Sequence, residues 1–402
     1  MTEPDQPPAL RGPRAAFAVI GQRNFAPYFV GNALSASGGW FQNLAGALLV
    51  YRQTHSPFLL GVLNFAQFAP FLLLAPWSGS AADRFDRKRI LLVTQSISFV
   101  LCVVLGVLAA AGQAEPWLVI VFAALIGTAS AYAIPSQQAL VTSLVSERDL
   151  GSAIALNSMT FNIARAAGPA LAALVIAAFG IPAAFLVNAC SFLLFSVALL
   201  LVHPRPQRRA ERAPLRESLT LLRENPRLLW LLFVVAAVGF ASDPINTESP
   251  AFANEFGYRD TVAGLIIGVF GAGAVAAAFF FAGREGSRRM TVVTLTMLGL
   301  GMIGFCLSPS LSIGFVFLFV AGMGYLASNA RATTQLQLEV EEWQRGRIMA
   351  LWSIAFLGLR PVASLIDGAI AGVAGVRVAG IVLSLPALAA AYFIRRRVRS
   401  RR

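Results

Sequence analysis

From Phe25 to Ile394 this chain repeats one feature: apolar stretches about as long as a membrane crossing, roughly 20 residues, separated by short polar turns. Of its 402 residues 57% are hydrophobic and only 13% charged, where soluble domains carry roughly 25% charged residues. In a bilayer core every backbone N–H and C=O must be satisfied internally, so stretches of this length predict helices. The fold class is therefore an all-α polytopic membrane protein. Apolar runs and turn residues place about twelve spans, near 26–51, 57–80, 89–112, 116–139, 153–179, 182–202, 228–252, 261–282, 290–308, 311–335, 347–373 and 376–394.

The net charge of +13 would suit a nucleic-acid partner if the arginines formed one patch on a folded domain. Instead they lie between the apolar stretches, and they alternate. Even-to-odd connections carry Arg84, Arg87, Lys88 and Arg89, then Arg148, then a long polar segment, then Arg284, Arg288 and Arg289, then Arg345 and Arg347. Odd-to-even connections carry only Arg52, Arg259 and Arg377. Cations near span ends stay on the cytoplasmic side, so this bias predicts an even number of spans with both termini cytoplasmic. The segments that result are a Pro-rich tail (1–24), a first six-helix bundle (25–202), a linker (203–226) rich in arginine, a second bundle (227–396) and a basic tail (397–402) suited to anionic lipid. Nothing at the N-terminus resembles a removable signal peptide.

Several chemistries are excluded. Cys102, Cys190 and Cys306 are odd in number, lie within apolar segments and lack metal-ligand spacing, which predicts three buried small residues and neither a disulfide framework nor a zinc site. His55 and His203 stand alone at segment edges. No Gly-x4-Gly-Lys-[Ser/Thr] loop exists for a nucleotide, and no nucleophile, base and orienting residue fall together as an enzyme would need. No cofactor is expected.

The halves echo each other. Gly79-Ser-Ala-Ala-Asp-Arg ends the second span and Gly283-Arg-Glu-Gly-Ser-Arg the eighth; Ile154-Ala-Leu opens the fifth and Met349-Ala-Leu the eleventh, with Pro169 and Pro361 further along the same two. A duplicated bundle of six helices explains this most simply.

The connection after the second span concentrates the clearest pattern. Gly79 permits close helix approach, Asp83 is an acid in a strongly basic loop, and Arg84 and Arg87 can pair with it or with neighbouring helix ends, so the cluster can latch one conformational state. Gly79, Asp83, Arg84, Arg87, Lys88 and Arg89 resemble the signature loop of the Major Facilitator Superfamily, with Asp86 standing where the family has a second glycine. The resemblance implies two pseudo-symmetric six-helix bundles, alternating access, and a gating role for Asp83 and Arg87 between the halves on the cytoplasmic side. In the fifth span Asn157, Asn162, Arg165, Gly168 and Pro169 resemble a run of the enterobactin-exporter-like branch, and Gly168-Pro169 is similar to the fifth-helix element of drug antiporters. Ser158, Asn162, Arg165 and Pro169 share a helix face. Arg345-Gly-Arg-Ile-Met in the eleventh span resembles the same branch.

Charges within spans are few: Arg165, Asp243, Arg331, Arg360 and Asp367. Each is unfavourable in hydrocarbon by about 2.5–3.5 kcal/mol, so each should face the bundle interior or water. Ser353, Arg360 and Asp367 recur at seven-residue spacing, which predicts one face; a partner from another helix is required, with Asp243 a candidate for Arg360 or Arg165. Asp243-Pro244 and Pro250 interrupt the seventh span, either as a discontinuous helix at a binding site or as a frayed end. Asn32, Ser35, Gly39, Gln42, Asn43, Asn64, Gln67, Gln137, Gln138, Ser328, Arg331, Gln335 and Arg360 form a polar seam that reads as a substrate path or as helix-helix glue.

The resemblance implies a gradient-driven exporter of a small amphipathic organic molecule (a drug, siderophore or secondary metabolite) in a bacterial cytoplasmic membrane. A monomer is expected, with Asp243 and Asp367 the acids available for proton coupling. The fourth span lacks the arginine of well-coupled drug antiporters and has Pro135-Ser136-Gln137-Gln138 instead. Import, or a non-transporting sensor or assembly role, is the alternative.

Overall fold

The computed structural model describes residues 18–146, 148–205, 222–223, 225–281, 288–341 and 344–399. Residues 1–17, the linker arginines Arg208, Arg209, Arg212 and Arg216, Gly283, Arg284 and the tail from residue 400 lie outside this description, as do the side chains of Asn162, Arg345, Arg347, Arg397 and Arg399.

Among the described residues the secondary structure is helical. The helices are α1 (Ala26–Thr54), α2 (Pro57–Leu73), α3 (Ala75–Arg84), α4 (Arg87–Ala110), α5 (Pro116–Leu144), α6 (Leu150–Phe179), α7 (Ile181–Leu201), α8 (Pro226–Thr247), α9 (Ser249–Glu255), α10 (Ala263–Phe280), α11 (Arg288–Leu307), α12 (Leu311–Leu338), α13 (Arg345–Ser353), α14 (Arg360–Ala374) and α15 (Val376–Arg399), with a π turn at Ile354–Gly358. Proline opens many of them, where its missing N–H is no loss. Gly180 (φ 84°) and Gly375 (φ 91°) end α6 and α14 in backbone conformations that a Cβ would strain.

Among the described residues ten helical spans are long and apolar enough to cross a membrane, eleven if α2 and the bent segment Trp77–Arg84 are one span. The 29 residues of α1 extend roughly 44 Å, longer than a bilayer core, but its Asn32, Gln42 and Asn43 lower its hydropathy. Polarity is inverted relative to a soluble protein. On α4 the exposed Val93, Ile97, Val100, Val104 and Val107 form an apolar stripe, while Thr94, Gln95 and Ser98 are buried. That is the arrangement of a helix whose solvent is lipid.

Three spans are not straight helices, and the interruption expected at Asp243-Pro244 lies further along. The second bends by 56° where Pro70 and Pro76 flank Leu74. The seventh runs unbroken through Pro244, with Glu248 N–H donating to the Pro244 carbonyl at 2.8 Å, and breaks at Glu248. The eleventh contains the π turn. Cys190 is exposed, contrary to the buried position expected, whereas Cys102 and Cys306 are buried.

Up to residue 205, α1 packs on α6 and α7, α4 on α5 and α7, and α2 and α3 on α5. From residue 225, α11 packs on α12 and α15, α10 on α12, and α8 on α12, α14 and α15. These halves of the chain meet along α2–α14 and α6–α10. The approach is close because small residues face each other: a Cβ on Gly61 would lie 3.0 Å from Gly368 Cα, and one on Gly271 2.6 Å from Ala166 Cα.

The arginine-bearing turns gather at one end, here the basic end, where Lys88 reaches the Leu200 and Val202 carbonyls and Arg227 pairs with Glu339 at 2.9 Å. At the other end Arg52 on α1 pairs with Asp260 ahead of α10, joining the halves, and Arg377 binds Glu255 at 3.0 Å.

Candidate functional site

Two arginines mark the centre. Arg165, on α6, donates to the Tyr325 hydroxyl and lies 4.3 Å above that ring. Arg360, at the start of α14, lies 4.2 Å above the ring of Phe68 on α2. Each arginine thus reaches an aromatic ring belonging to the other half, a favourable cation–π geometry where water is scarce. Laying Ile154 on Met349 superposes Arg165 on Arg360 in sequence, so the internal echo extends to this pair. Around Tyr325 the rings of Phe270 (5.3 Å), Phe356 (6.4 Å) and, stacked on Phe356, Trp352 (5.1 Å) complete an aromatic layer.

Asp243 is the second element. It is 1% exposed and lies 3.6 Å from Arg360 Nε; Thr247 and Ser364 donate hydroxyl hydrogen bonds to it at 3.0 and 3.3 Å. Asp243 is buried within an unbroken stretch of α8, neither at a frayed end nor at a helix break, with Arg360 as its partner. A buried carboxylate needs such pairing. Asp367, on α14 with Arg360, is fully buried, and among the described residues neither of its oxygens is hydrogen-bonded. The one-face expectation for Ser353, Arg360 and Asp367 is corrected by the π turn, closed by Leu359 N–H to Ile354 O at 3.1 Å. The extra residue it holds rotates Ser353 relative to α14.

A narrow cleft opens beside this pair, lined by Trp40, Asn43, Asn64, Gln67, Asn246 and Arg360. Gln67 donates to Asn43 at 2.7 Å and Asn64 to its own Leu60 carbonyl at 3.4 Å. Towards the basic end a second polar group joins three helices: Asn32 to Asn157 at 3.2 Å, Gln137 to Asn32, and Tyr28 to the Gln137 carbonyl at 3.3 Å. Gln138 is exposed, and Arg331 and Gln335 are half-buried on α12. Gln42 leaves the expected path altogether. It is buried between Asn188 (2.7 Å) and Cys102 (3.2 Å), fastening α1 to α7 and α4.

In the loop after α3 the cations satisfy helix ends, as the sequence suggested they could. Arg87 donates to the Ala82 and Ala139 carbonyls at 3.2 and 3.0 Å, favourable at the negative ends of helix dipoles. Asp86, the departure from the family pattern, caps α4 by accepting from Arg89 N–H at 3.1 Å. Arg84 and Arg89 are exposed and Asp83 half-buried. Gly79 does not serve close approach here: no atom lies within 4 Å of where its Cβ would stand. Gly168 does, since a Cβ there would meet Trp40 at 2.9 Å, and Pro169 beside it is buried.

Sequence reasoning missed Glu248, Tyr325 and Phe68. Glu248 is fully buried at the break between α8 and α9, again without a hydrogen bond. Its position between Pro244 and Pro250 was the available signal.

Buried charges and a polar cleft where two halves of a helical membrane protein meet are what a multi-pass membrane transporter needs. Residues 14–402 match the family model MFS_3, transmembrane secretion effector, and the chain belongs to that family. It is 25% identical over 363 residues to the staphyloferrin A transporter of Staphylococcus aureus (strain NCTC 8325 / PS 47), covering 87% of this chain and 90% of that one. It is 24% identical over 373 residues to the multidrug efflux pump Tap of Mycolicibacterium fortuitum, covering 89% and 91%. Its fold matches a crystal structure of a bacterial homologue of the human lysosomal transporter Spinster in an inward-facing, unoccupied conformation, with a TM-score of 0.73 at 16% identity over 96% of this chain and 97% of the other.

Proposed function

We propose that this chain is an export permease of a bacterial cytoplasmic membrane, carrying a small amphipathic organic molecule outward by alternating access in exchange for protons. The observation that carries this reading is the central pair Arg165 and Arg360, each stacked on a ring of the opposite half beside a polar cleft. A site built from both halves changes its exposure when they rock. In this reading α1 and the bent α2–α3 segment join the ten other spans to make twelve, in two bundles of six divided by the 203–226 linker, with both termini and the basic end cytoplasmic. The protein works as a monomer.

Among the described residues, contacts between the halves include Arg52–Asp260, Gly61–Gly368 and Ala166–Gly271, from the non-basic end to the middle. This supports an inward-facing state with the outer gate shut. The loop Gly79, Asp83, Arg84, Arg87, Lys88 and Arg89 would then latch the opposite state, and Asn157, Asn162, Arg165, Gly168 and Pro169 would form the wall of the path. Cargo of the kind named for the relatives, a siderophore or a hydrophobic drug, suits the aromatic layer and the two guanidinium groups. Asp243 and Asp367 are the coupling acids.

Uptake of labelled siderophores, macrolides and dyes into inverted vesicles, with and without a proton gradient, tests this. Gradient-dependent uptake of at least one compound is expected. Loss of the dependence is expected in a double Asp243→Asn, Asp367→Asn variant; unchanged, pH-independent uptake by that variant would refute proton coupling.

A further inference from the structure

The second half buries three carboxylates, Asp243, Glu248 and Asp367, and places one guanidinium beside the first of them. Arg360 serves Asp243 at 3.6 Å. Glu248 and Asp367 are each fully inaccessible, and among the described residues none of their four carboxylate oxygens has a hydrogen-bond partner. Their charged surroundings make matters worse: Asp367 and Asp243 both repel Glu248, and Asp243 repels Asp367. The other titratable groups facing them bring no relief. Tyr51 on α1 faces Glu248, and Cys306 on α11 faces Asp367. Arg377 on α15 is the next cation, but it is committed to Glu255 at 3.0 Å and to the carbonyls of Cys306 and Ser308 at 3.0 and 2.9 Å.

Burying an ionised carboxylate with no donor is far less favourable than burying the neutral acid, and two acids in mutual repulsion resist ionising together. A metal cage does not resolve this, because among the described residues no three acid, histidine or cysteine side chains are grouped to hold an ion. The group that fits is a proton on each. Geometry also supplies a route. Glu248 lies at the break between α8 and α9, where the backbone leaves the helix (φ −103°, ψ 11°). Asn246 and Ser249, on either side of it, line the cleft. A small hinge movement there would turn the Glu248 carboxyl towards that cleft.

We propose that Glu248 and Asp367 form a paired-carboxyl proton site, in which each holds one proton in the conformation seen and gives it to water when the α8–α9 break opens. Loading takes one proton per carboxylate from the aqueous phase, and release returns the same protons across the other face, leaving two carboxylates. The inference rests on the proton-exchange reading above and extends it to a residue, Glu248, and to a stoichiometry.

Infrared spectra of the full-length protein in lipid nanodiscs test it through the C=O stretch of protonated carboxyl groups, identified by its shift in D2O. At neutral pH the wild type should show this band; Glu248→Gln should lose one carboxyl's share of it and Asp367→Asn another's. Both substitutions mimic the neutral acid, so the thermal unfolding midpoint should be kept. If either variant does not fold, loss of the band in wild type on raising the pH decides the matter without it. A spectrum unchanged by Glu248→Gln, or ionised carboxylate bands that respond to Na+ instead, would overturn the proposal. A trapped pH dye in the same preparations as proteoliposomes separates the two readings: bands present without substrate-driven proton movement would leave the site standing and remove the exchange mechanism.

Discussion

Replacing Gly61 by alanine tests alternating access directly. On the ideal backbone the new Cβ would stand 2.5 Å from the Ser364 carbonyl oxygen and 3.0 Å from Gly368 Cα, both backbone atoms that no rotamer change can move. A comfortable C···O contact is about 3.3 Å, so α2 and α14 must part by roughly 0.8 Å in the conformation described. Overpacking of this kind is unfavourable by about 1–3 kcal/mol, and about 2 kcal/mol changes a two-state ratio roughly 30-fold. If the halves separate at this end in the alternative state, that state escapes the clash and gains in population by about this factor. Spin labels at His55 and Tyr258, on opposite halves at the non-basic end, would report it by electron–electron distance measurement in a background without the three native cysteines. The distance distribution should gain a longer population in Gly61→Ala. An unchanged distribution, in a variant that folds and retains its melting midpoint, would show that α2 and α14 do not separate and would refute the reasoning.

Arg52→Asp and Asp260→Arg should each shift the same distribution outwards, and the double exchange should restore it. Because Arg52 is 44% exposed the effect is small, about 0.2–1 kcal/mol, and it should fade with added salt. Asp243→Asn leaves Arg360 without its counter-charge, so the thermal unfolding midpoint should fall by the equivalent of about 3 kcal/mol, the low end for a broken buried pair because Arg360 keeps 21% exposure. The double variant Asp243→Asn, Arg360→Met should recover most of it, and no recovery would mean that the pair is not the cause. Asp86→Ala removes the α4 cap and should lower stability by about 1 kcal/mol in the same assay, whereas Asp86→Gly should lower it by only a few tenths.

Span positions were legible because a membrane imposes one strong signal, and ends such as Pro57, Pro116 and Ile181 fall within a residue or so of those read from apolar runs. The need of Arg360 for a partner, and Asp243 as a candidate, followed from the unfavourability of a lone charge in hydrocarbon. Direction around the helix was harder. Gln42 and Gln67 look alike on α1 and α2, yet one fastens helices within the first half and the other lines the cleft, because small polar residues serve both purposes and the repeat does not distinguish them. Glu248 was hidden at a span edge, where an acid ordinarily meets water. The π turn leaves no periodic trace at all, since one additional residue is invisible to a pattern several turns long.

That π turn has a mechanical consequence. A π turn can migrate along a helix by exchanging one hydrogen-bonded partner at a time, and each residue it passes is rotated about the axis by roughly 100°. The stretch beyond it, with Gly368 seated against Gly61, can therefore stay clamped while α13 swivels beneath. The eleventh span would act as two rods on a shared screw thread, so that the basic end of the second half can turn before α14 and α2 part at the other end.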